Sequence, residues 1–207
     1  RVFCSASSPA CGGCDVTIKR GRRGGNSQAV KIVVTGPFAA GKTTLIRTIS
    51  EITVLSTEKD ITDETRSRKS ETTVAMDFGR ITIDHDLVLY LFGTPGQDRF
   101  DFMWEILGEG MLGYILLLDA DRPDSLDEAV GILAAFRKMA KVPFVVAMNR
   151  ASAVDSDAET RVREALDLDP AVPVVACDAT DRASVKNVLL ALLYAVVDSI
   201  DVAAAQA

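Results

Sequence analysis

Apolar and polar positions along this chain switch between two periods, and their order predicts an α/β domain. Residues 30–35 hold Val30, Ile32, Val33 and Val34 in a run of buried-strand type, and Leu45, Ile46 and Ile49 follow at helical spacing. Residues 53–71 are polar, with charges of both signs (Glu58, Lys59, Asp60, Asp63, Glu64, Arg66, Arg68, Lys69) and no period, so they read as a long loop. Loops of that length inside a compact domain usually carry function. Residues 72–83 alternate through Val74, Met76, Phe78, Ile81 and Ile83, which predicts a half-exposed strand. A turn at Asp84-His85-Asp86 leads into the wholly apolar residues 87–92, a central strand, so these two form an antiparallel hairpin.

Beyond the hairpin the pattern is regular. A helix is expected over residues 98–108, bearing Phe100, Met103, Trp104 and Leu107, then a buried strand over 113–118 that ends at Asp119. A helix over 124–139 sets Leu126, Ala129, Val130, Leu133 and Phe136 on one face, and a strand follows at 144–148. A short helix at 157–166 and a strand at 172–176 lead to the final helix, 183–202. There Val185, Val188, Leu189, Leu192, Leu193, Val196, Val197 and Ile200 recur at steps of three and one, and that whole stripe is expected to face the core. The sum is a doubly wound α/β domain with a mostly parallel six-stranded sheet, one antiparallel hairpin and five helices. Ligands of such sheets bind at the carboxyl ends of the strands, where the segment after residue 35, Asp119, Asn149 and Cys177 fall.

The segment after the first strand is Gly36-Pro37-Phe38-Ala39-Ala40-Gly41-Lys42-Thr43-Thr44, which satisfies G-x-x-x-x-G-K-[ST] between a strand and a helix. Glycines let successive backbone N–H groups turn into one concavity, and the helix start adds its positive dipole end. Lys42 is placed to reach the β- and γ-phosphates of a nucleotide and Thr43 to offer its hydroxyl to Mg²⁺.

Composition narrows the class. The chain has 207 residues, 48% hydrophobic and 25% charged, with net charge −6. Residues 1–29 hold Arg1, Lys19, Arg20, Arg22 and Arg23 against Asp15, about +4, leaving about −10 on residues 30–207. An acidic domain argues against direct nucleic-acid binding, which needs a basic face. No uninterrupted apolar run approaches the ~18–20 residues of a membrane span. Residues 1–29 are rich in Ser, Gly, Cys and Arg without period and read as a flexible tail, not a secretory signal, ahead of one domain at 30–207. Cys4, Cys11 and Cys14 would need Cys177 or His85 to complete a metal site, and a leader without metal is the simpler reading. Cys177 fits a reduced thiol and the cytoplasm.

Residues 30–202 resemble the Ras-like small GTPases, nearest to bacterial members of the conservon and gliding-polarity types. Thr73-Val74-Ala75-Met76-Asp77-Phe78 is similar to the switch I threonine and its following strand. The resemblance implies that Thr73 reaches Mg²⁺ and the γ-phosphate. Gly93-Thr94-Pro95-Gly96-Gln97 stands where that family has D-x-x-G-Q. Gly96 then meets the γ-phosphate through its N–H, and Gln97 orients the attacking water. Gly93 replaces the usual aspartate, so metal binding rests on Thr43, Thr73, phosphates and water, or on a carboxylate placed elsewhere. Asn149-Arg150-Ala151-Ser152 occupies the place of N-K-x-D. Asn149 is expected to tie the phosphate loop to the base pocket and Arg150 to lay its stem over the purine. Ser152 lacks the carboxylate that reads guanine, with Asp155 a nearby substitute. Cys177-Asp178-Ala179 matches the last base-binding turn, whose N–H meets the base.

The resemblance therefore implies a GTP/GDP-binding, Mg²⁺-dependent switch with slow hydrolysis, guanine preferred over adenine, and no obvious arginine for the transition state beyond Arg66 or Arg68. It also implies a roadblock/longin-type regulator, with a membrane sensor kinase as a further associate, and Phe100, Phe102 and Trp104 as effector contacts. The competing reading is a nucleotide-dependent scaffold that binds ATP or GTP without turnover, motivated by Gly93 and Ser152. A metabolic kinase is disfavoured, because no Arg-rich lid is present.

Overall fold

A computed structural model describes residues 28–56, 76–84, 87–95, 108–122, 124–151 and 153–205. In chain order the elements are β1 (Gln28–Thr35), α1 (Lys42–Ile49), β2 (Leu55–Ser56), β3 (Asp77–Asp84), β4 (Leu87–Gly93), β5 (Met111–Asp119), α2 (Asp124–Met139), β6 (Phe144–Asn149), α3 (Ser156–Ala165), β7 (Val174–Cys177) and α4 (Arg182–Ala205). They build one sheet of order β2-β3-β4-β1-β5-β6-β7. β1 pairs in parallel with both β4 and β5, and β5, β6 and β7 continue in parallel. β3 runs antiparallel to β4, as the alternation at 72–83 and the apolar run at 87–92 imply.

Both faces of the sheet are covered, which is why its central strands read as unbroken apolar runs. Successive residues of β5 serve opposite sides. Ile115 and Leu117 join Ile32, Val34, Leu45, Ile46, Val188 and Leu192 under α1 and α4. Tyr114, Leu116 and Leu118 join Val33, Leu133, Phe136 and Val162 under α2 and α3. Tyr114 lies 5.0 Å from the Phe136 ring centre and stacks on Phe144 at 4.9 Å.

Three expectations are revised, and a fourth lies outside the described residues. The sheet has seven strands, since the two residues of β2 pair with Phe78 and Asp77 from within the stretch read as loop. A two-residue strand is too short to show a period. Four helices stand among the described residues; the expected fifth, at 98–108, lies almost wholly outside them. β7 starts at Val174 and not Val172, because Val172 closes a turn onto the Asp169 carbonyl and Pro173 has no N–H to give a ladder. The stripe on α4 is only partly core: Val185, Val188, Leu189, Leu192 and Val196 are buried, whereas Val197 and Ile200 are 53% and 58% exposed. Val130 on α2 is likewise exposed. Helical spacing picks out apolar positions and not the width of face that a sheet can cover.

Candidate functional site

The site forms where β1, β4, β5, β6 and β7 end. The loop of residues 36–41 leaves β1 through Gly36 at φ 142° and enters α1 through Gly41 at φ 102°, with Ala39 at φ 59° between them. Glycine is required at both ends. A Cβ on Gly36 would lie 2.2 Å from the Leu117 carbonyl oxygen, and one on Gly41 would lie 2.4 Å from Asn149 Nδ2. Gly41 caps α1 with no side-chain hydrogen bond, so no side chain competes for the first N–H groups of the helix. Lys42 is buried and donates from Nζ to the carbonyls of Gly36 and Pro37, both at 2.7 Å, so its ammonium lies inside the curve of the loop. Phe38 and Ala39 form the exposed rim, Ala40 is buried, and Thr44 points outward.

Thr43 Oγ1 donates a hydrogen bond to Asp77 Oδ2. Asp77 opens β3 and stands directly opposite Gly93 on β4. A Cβ on Gly93 would come within 3.1 Å of Asp77 Cβ and 3.3 Å of Asp77 Oδ2. A carboxylate thus stands one strand over from position 93, and the glycine leaves room for it. The sequence pattern marks Asp77 only as a strand residue, because cross-strand register is invisible in it. A hydroxyl and a carboxylate side by side at the loop's helix end are oxygen ligands of the type Mg²⁺ takes.

Asn149 binds the site together. Its Nδ2 donates to the Ala40 carbonyl at 2.8 Å, and its Oδ1 accepts from Ala179 N–H at 2.9 Å and Arg150 N–H at 3.0 Å. The side chain is buried, so the phosphate loop and the β7–α4 turn are fixed to each other through it. Ala179 is buried and its carbonyl accepts from Thr48 Oγ1 at 2.6 Å. Asp178 is exposed and accepts from the Thr180 hydroxyl at 2.6 Å and N–H at 2.8 Å, bonds that hold its carboxyl below the usual range. Cys177 is buried, and desolvation pushes its thiol up to about 11.

Arg150 takes φ 65° and pairs with Asp119, whose side chain is fully buried. That hydrogen bond raises the guanidinium pKa further. Asp155, the proposed substitute for a base-reading carboxylate, is instead the N-cap of α3 and accepts from Ala158 N–H at 2.7 Å. An arginine that the sequence did not single out reaches the loop: Arg122, after β5, donates from Nη1 to the Phe38 carbonyl and pairs with Glu128 at 2.8 Å. Nothing in the sequence signals that reach, which depends on where β5 ends relative to β1. Thr73, Gly96, Gln97, Ser152, Arg66, Arg68, Phe100, Phe102 and Trp104 lie outside the described residues. Among the described residues no three His, Cys, Asp or Glu side chains cluster to hold a metal alone.

Residues 34–199, from the end of β1 into α4, match a family described as conserved hypothetical ATP binding protein. The chain belongs to this family. Its matched span contains the whole phosphate loop, Asp77, Asn149 and Ala179, so the protein is a P-loop nucleotide-binding protein of α/β architecture. An uncharacterized protein of Methanocaldococcus jannaschii is 32% identical over 128 residues, covering 62% of this chain and 74% of that relative.

Proposed function

We propose that this family member is a Mg²⁺-dependent nucleotide switch of small-GTPase type that binds GTP and hydrolyses it slowly to GDP and phosphate. The observation that carries the reading is the pairing of Thr43 with Asp77 opposite Gly93, next to a lysine-filled phosphate loop. It answers the main objection to the Ras-like resemblance, the absent aspartate at position 93. Thr43 and Asp77 are the residues that would hold the cation, Asp77 through an intervening water or directly, with Thr73 as a further ligand. A bound Mg²⁺ supplies charge neutralisation for the β- and γ-phosphates. Lys42 exchanges its loop carbonyls for phosphate oxygens, and the free N–H groups at the start of α1 are the further donors to the same anion.

On the base side, the Asn149 bridge holds the Ala179 turn beside the loop, and the stem of Arg150 is free to cover a purine while its head pairs with Asp119. Gln97 positions water and Gly96 senses the γ-phosphate in this reading. In this reading no arginine in cis neutralises the transition-state charge, and turnover falls roughly in the 10⁻⁴–10⁻³ s⁻¹ range of unassisted switches. A roadblock/longin-type partner, a membrane sensor kinase and a cytoplasmic setting complete the proposal. The second reading, a scaffold that takes ATP as well as GTP and does not turn it over, is favoured by the family's description and by Asp155 being engaged as a helix cap.

Calorimetry with GDP and ADP, each in Mg²⁺ and in EDTA, separates the two. The switch reading expects GDP to bind at least tenfold tighter than ADP. It also expects the Mg²⁺ gain to shrink at least tenfold in Asp77→Asn. Equal affinities for both nucleotides sink the guanine assignment. Single-turnover phosphate release that is at background in both wild type and Gln97→Ala removes hydrolysis and leaves the scaffold.

A further inference from the structure

We propose that the outward face of α4 is a self-complementary surface on which a second copy of this chain docks antiparallel. The inner face of α4 is spent on the core through Val185, Val188, Leu189, Leu192 and Val196. The opposite face should then be polar, and it is not. Leu190, Tyr194 and Val197 are 40%, 67% and 53% exposed and follow one another at steps of four and three, one stripe of the helix. Ala183 and Lys186 extend the stripe toward the N-terminus, Asp201 and Ala204 toward the C-terminus, and all four are exposed. At 100° per residue these positions fall in an arc of about 80°, and Ala183, Leu190, Val197 and Ala204 repeat every seventh residue, the spacing of a seam between paired helices.

The order of residues selects the partner. A two-fold axis midway between Leu193 and Tyr194 sets Lys186 of one copy against Asp201 of the other, Leu190 against Val197, and Ala183 against Ala204. Opposite charges meet at both ends, apolar groups meet inside them, and small residues close the seam. A parallel copy would instead place lysine on lysine and aspartate on aspartate. Among the described residues neither Lys186 nor Asp201 has an ion pair within its own chain. The helix is also apolar enough over Arg182–Asp201 to match a membrane span in composition. Lipid, however, would not require the charges to be arranged as a palindrome, and the inner face belongs to the core.

A single helix pair roughly 30 Å long lies at the small end of specific interfaces, so the dimer should be weak and reversible. The stripe lies outside the nucleotide site, so this inference stands apart from the assignment of nucleotide or turnover.

Sedimentation velocity of the full chain from 1 µM to 500 µM is the test. A reversible monomer–dimer equilibrium is expected, weakened at least tenfold by Tyr194→Glu. Lys186→Asp and Asp201→Lys should each weaken it several-fold, and the double exchange should return it to within about threefold of wild type. Circular dichroism on each variant checks that α4 remains folded, which exposed sites permit. A monomer at every concentration overturns the proposal. So does indifference to Tyr194→Glu, or failure of the double exchange to restore association. Vesicles of phosphatidylcholine and phosphatidylglycerol that capture the wild-type chain but not Tyr194→Glu, with no dimer in their absence, would assign the stripe to lipid and overturn it equally.

Discussion

Moving the carboxylate back to position 93 tests whether Asp77 and Gly93 are two halves of one arrangement. A Cβ at 93 would meet Ile46 Cδ1 at 2.9 Å and Asp77 Cβ at 3.1 Å. Overpacking of that kind costs about 1–3 kcal/mol. Two half-buried carboxylates about 4 Å apart repel as well, by less than the ~4 kcal/mol of an unscreened pair at an effective dielectric of 20. Gly93→Asp alone should therefore lose about 2–4 kcal/mol. Asp77→Gly alone loses the Thr43 hydrogen bond and gains strand glycine entropy, about 1–2 kcal/mol. If the effects were independent, the double variant would lose the sum. The geometry says otherwise: removing the Asp77 side chain empties the space that the new aspartate needs, so the cycle should return a favourable coupling of about 1.5–3 kcal/mol. Urea unfolding in EDTA at pH 7, read as a midpoint shift at constant slope, measures it. A coupling below about 0.5 kcal/mol would refute the idea that the two positions share one volume. In calorimetry, the Mg²⁺ gain in GDP affinity should vanish in Asp77→Gly and return in the double variant.

Asn149→Ala strands the buried Ala40 carbonyl and Ala179 N–H and frees the part-buried Arg150 N–H, and should cost about 2–4 kcal/mol, lowering the thermal midpoint by roughly 5–12 °C. Asn149→Asp should recover only part of that, since a carboxylate oxygen would then face the Ala40 carbonyl. Gly41→Ala combines left-handed strain with a clash on Asn149, so a loss of about 1–3 kcal/mol or more in denaturant is expected, together with loss of nucleotide binding by calorimetry. Cys177 has its thiol raised from 9.0 to about 11 by burial. The folded state therefore holds the proton more tightly than the unfolded state. Its contribution is complete below pH 9 and is lost as pH rises from 9 to 11, by up to about 1.4 kcal/mol per pH unit. The stability difference between wild type and Cys177→Ala should shrink across that window, and a flat difference would count against a buried neutral thiol. Phe136→Ala opens a cavity beside Tyr114 and should cost about 3–5 kcal/mol in urea unfolding.

Much of the architecture was legible because long apolar periods survive any detail of packing. The helix at 124–139 and the central strands appear nearly where their patterns put them. The Asn149 bridge was foreseeable too, since the residue closes a buried strand beside the loop. Three features were hidden, each for a physical reason. Asp77 acquires its role from cross-strand register, and a chain read one residue at a time does not reveal that it opposes Gly93. Asp155 serves the nearest need, the free N–H groups of α3, and a local cap prevails over a distant ligand role. Val197 and Ile200 are apolar at helical spacing yet exposed, because one sheet face covers only one side of a 24-residue helix.

The place of β1 in the strand order sets how firmly each part of the site is anchored. β1 has β4 on one side and β5 on the other, with a covered sheet above and below. Its amides can exchange with solvent only when the whole domain opens, whereas β2, at one edge with two residues, can detach at little cost. Hydrogen exchange should therefore grade across the sheet, slowest at residues 32–34 and fastest at Leu55 and Ser56. The phosphate loop springs from the slowest strand and the short strand before residue 57 belongs to the fastest. The protein can thus detach the edge strand paired with Asp77 many times without releasing the phosphate loop.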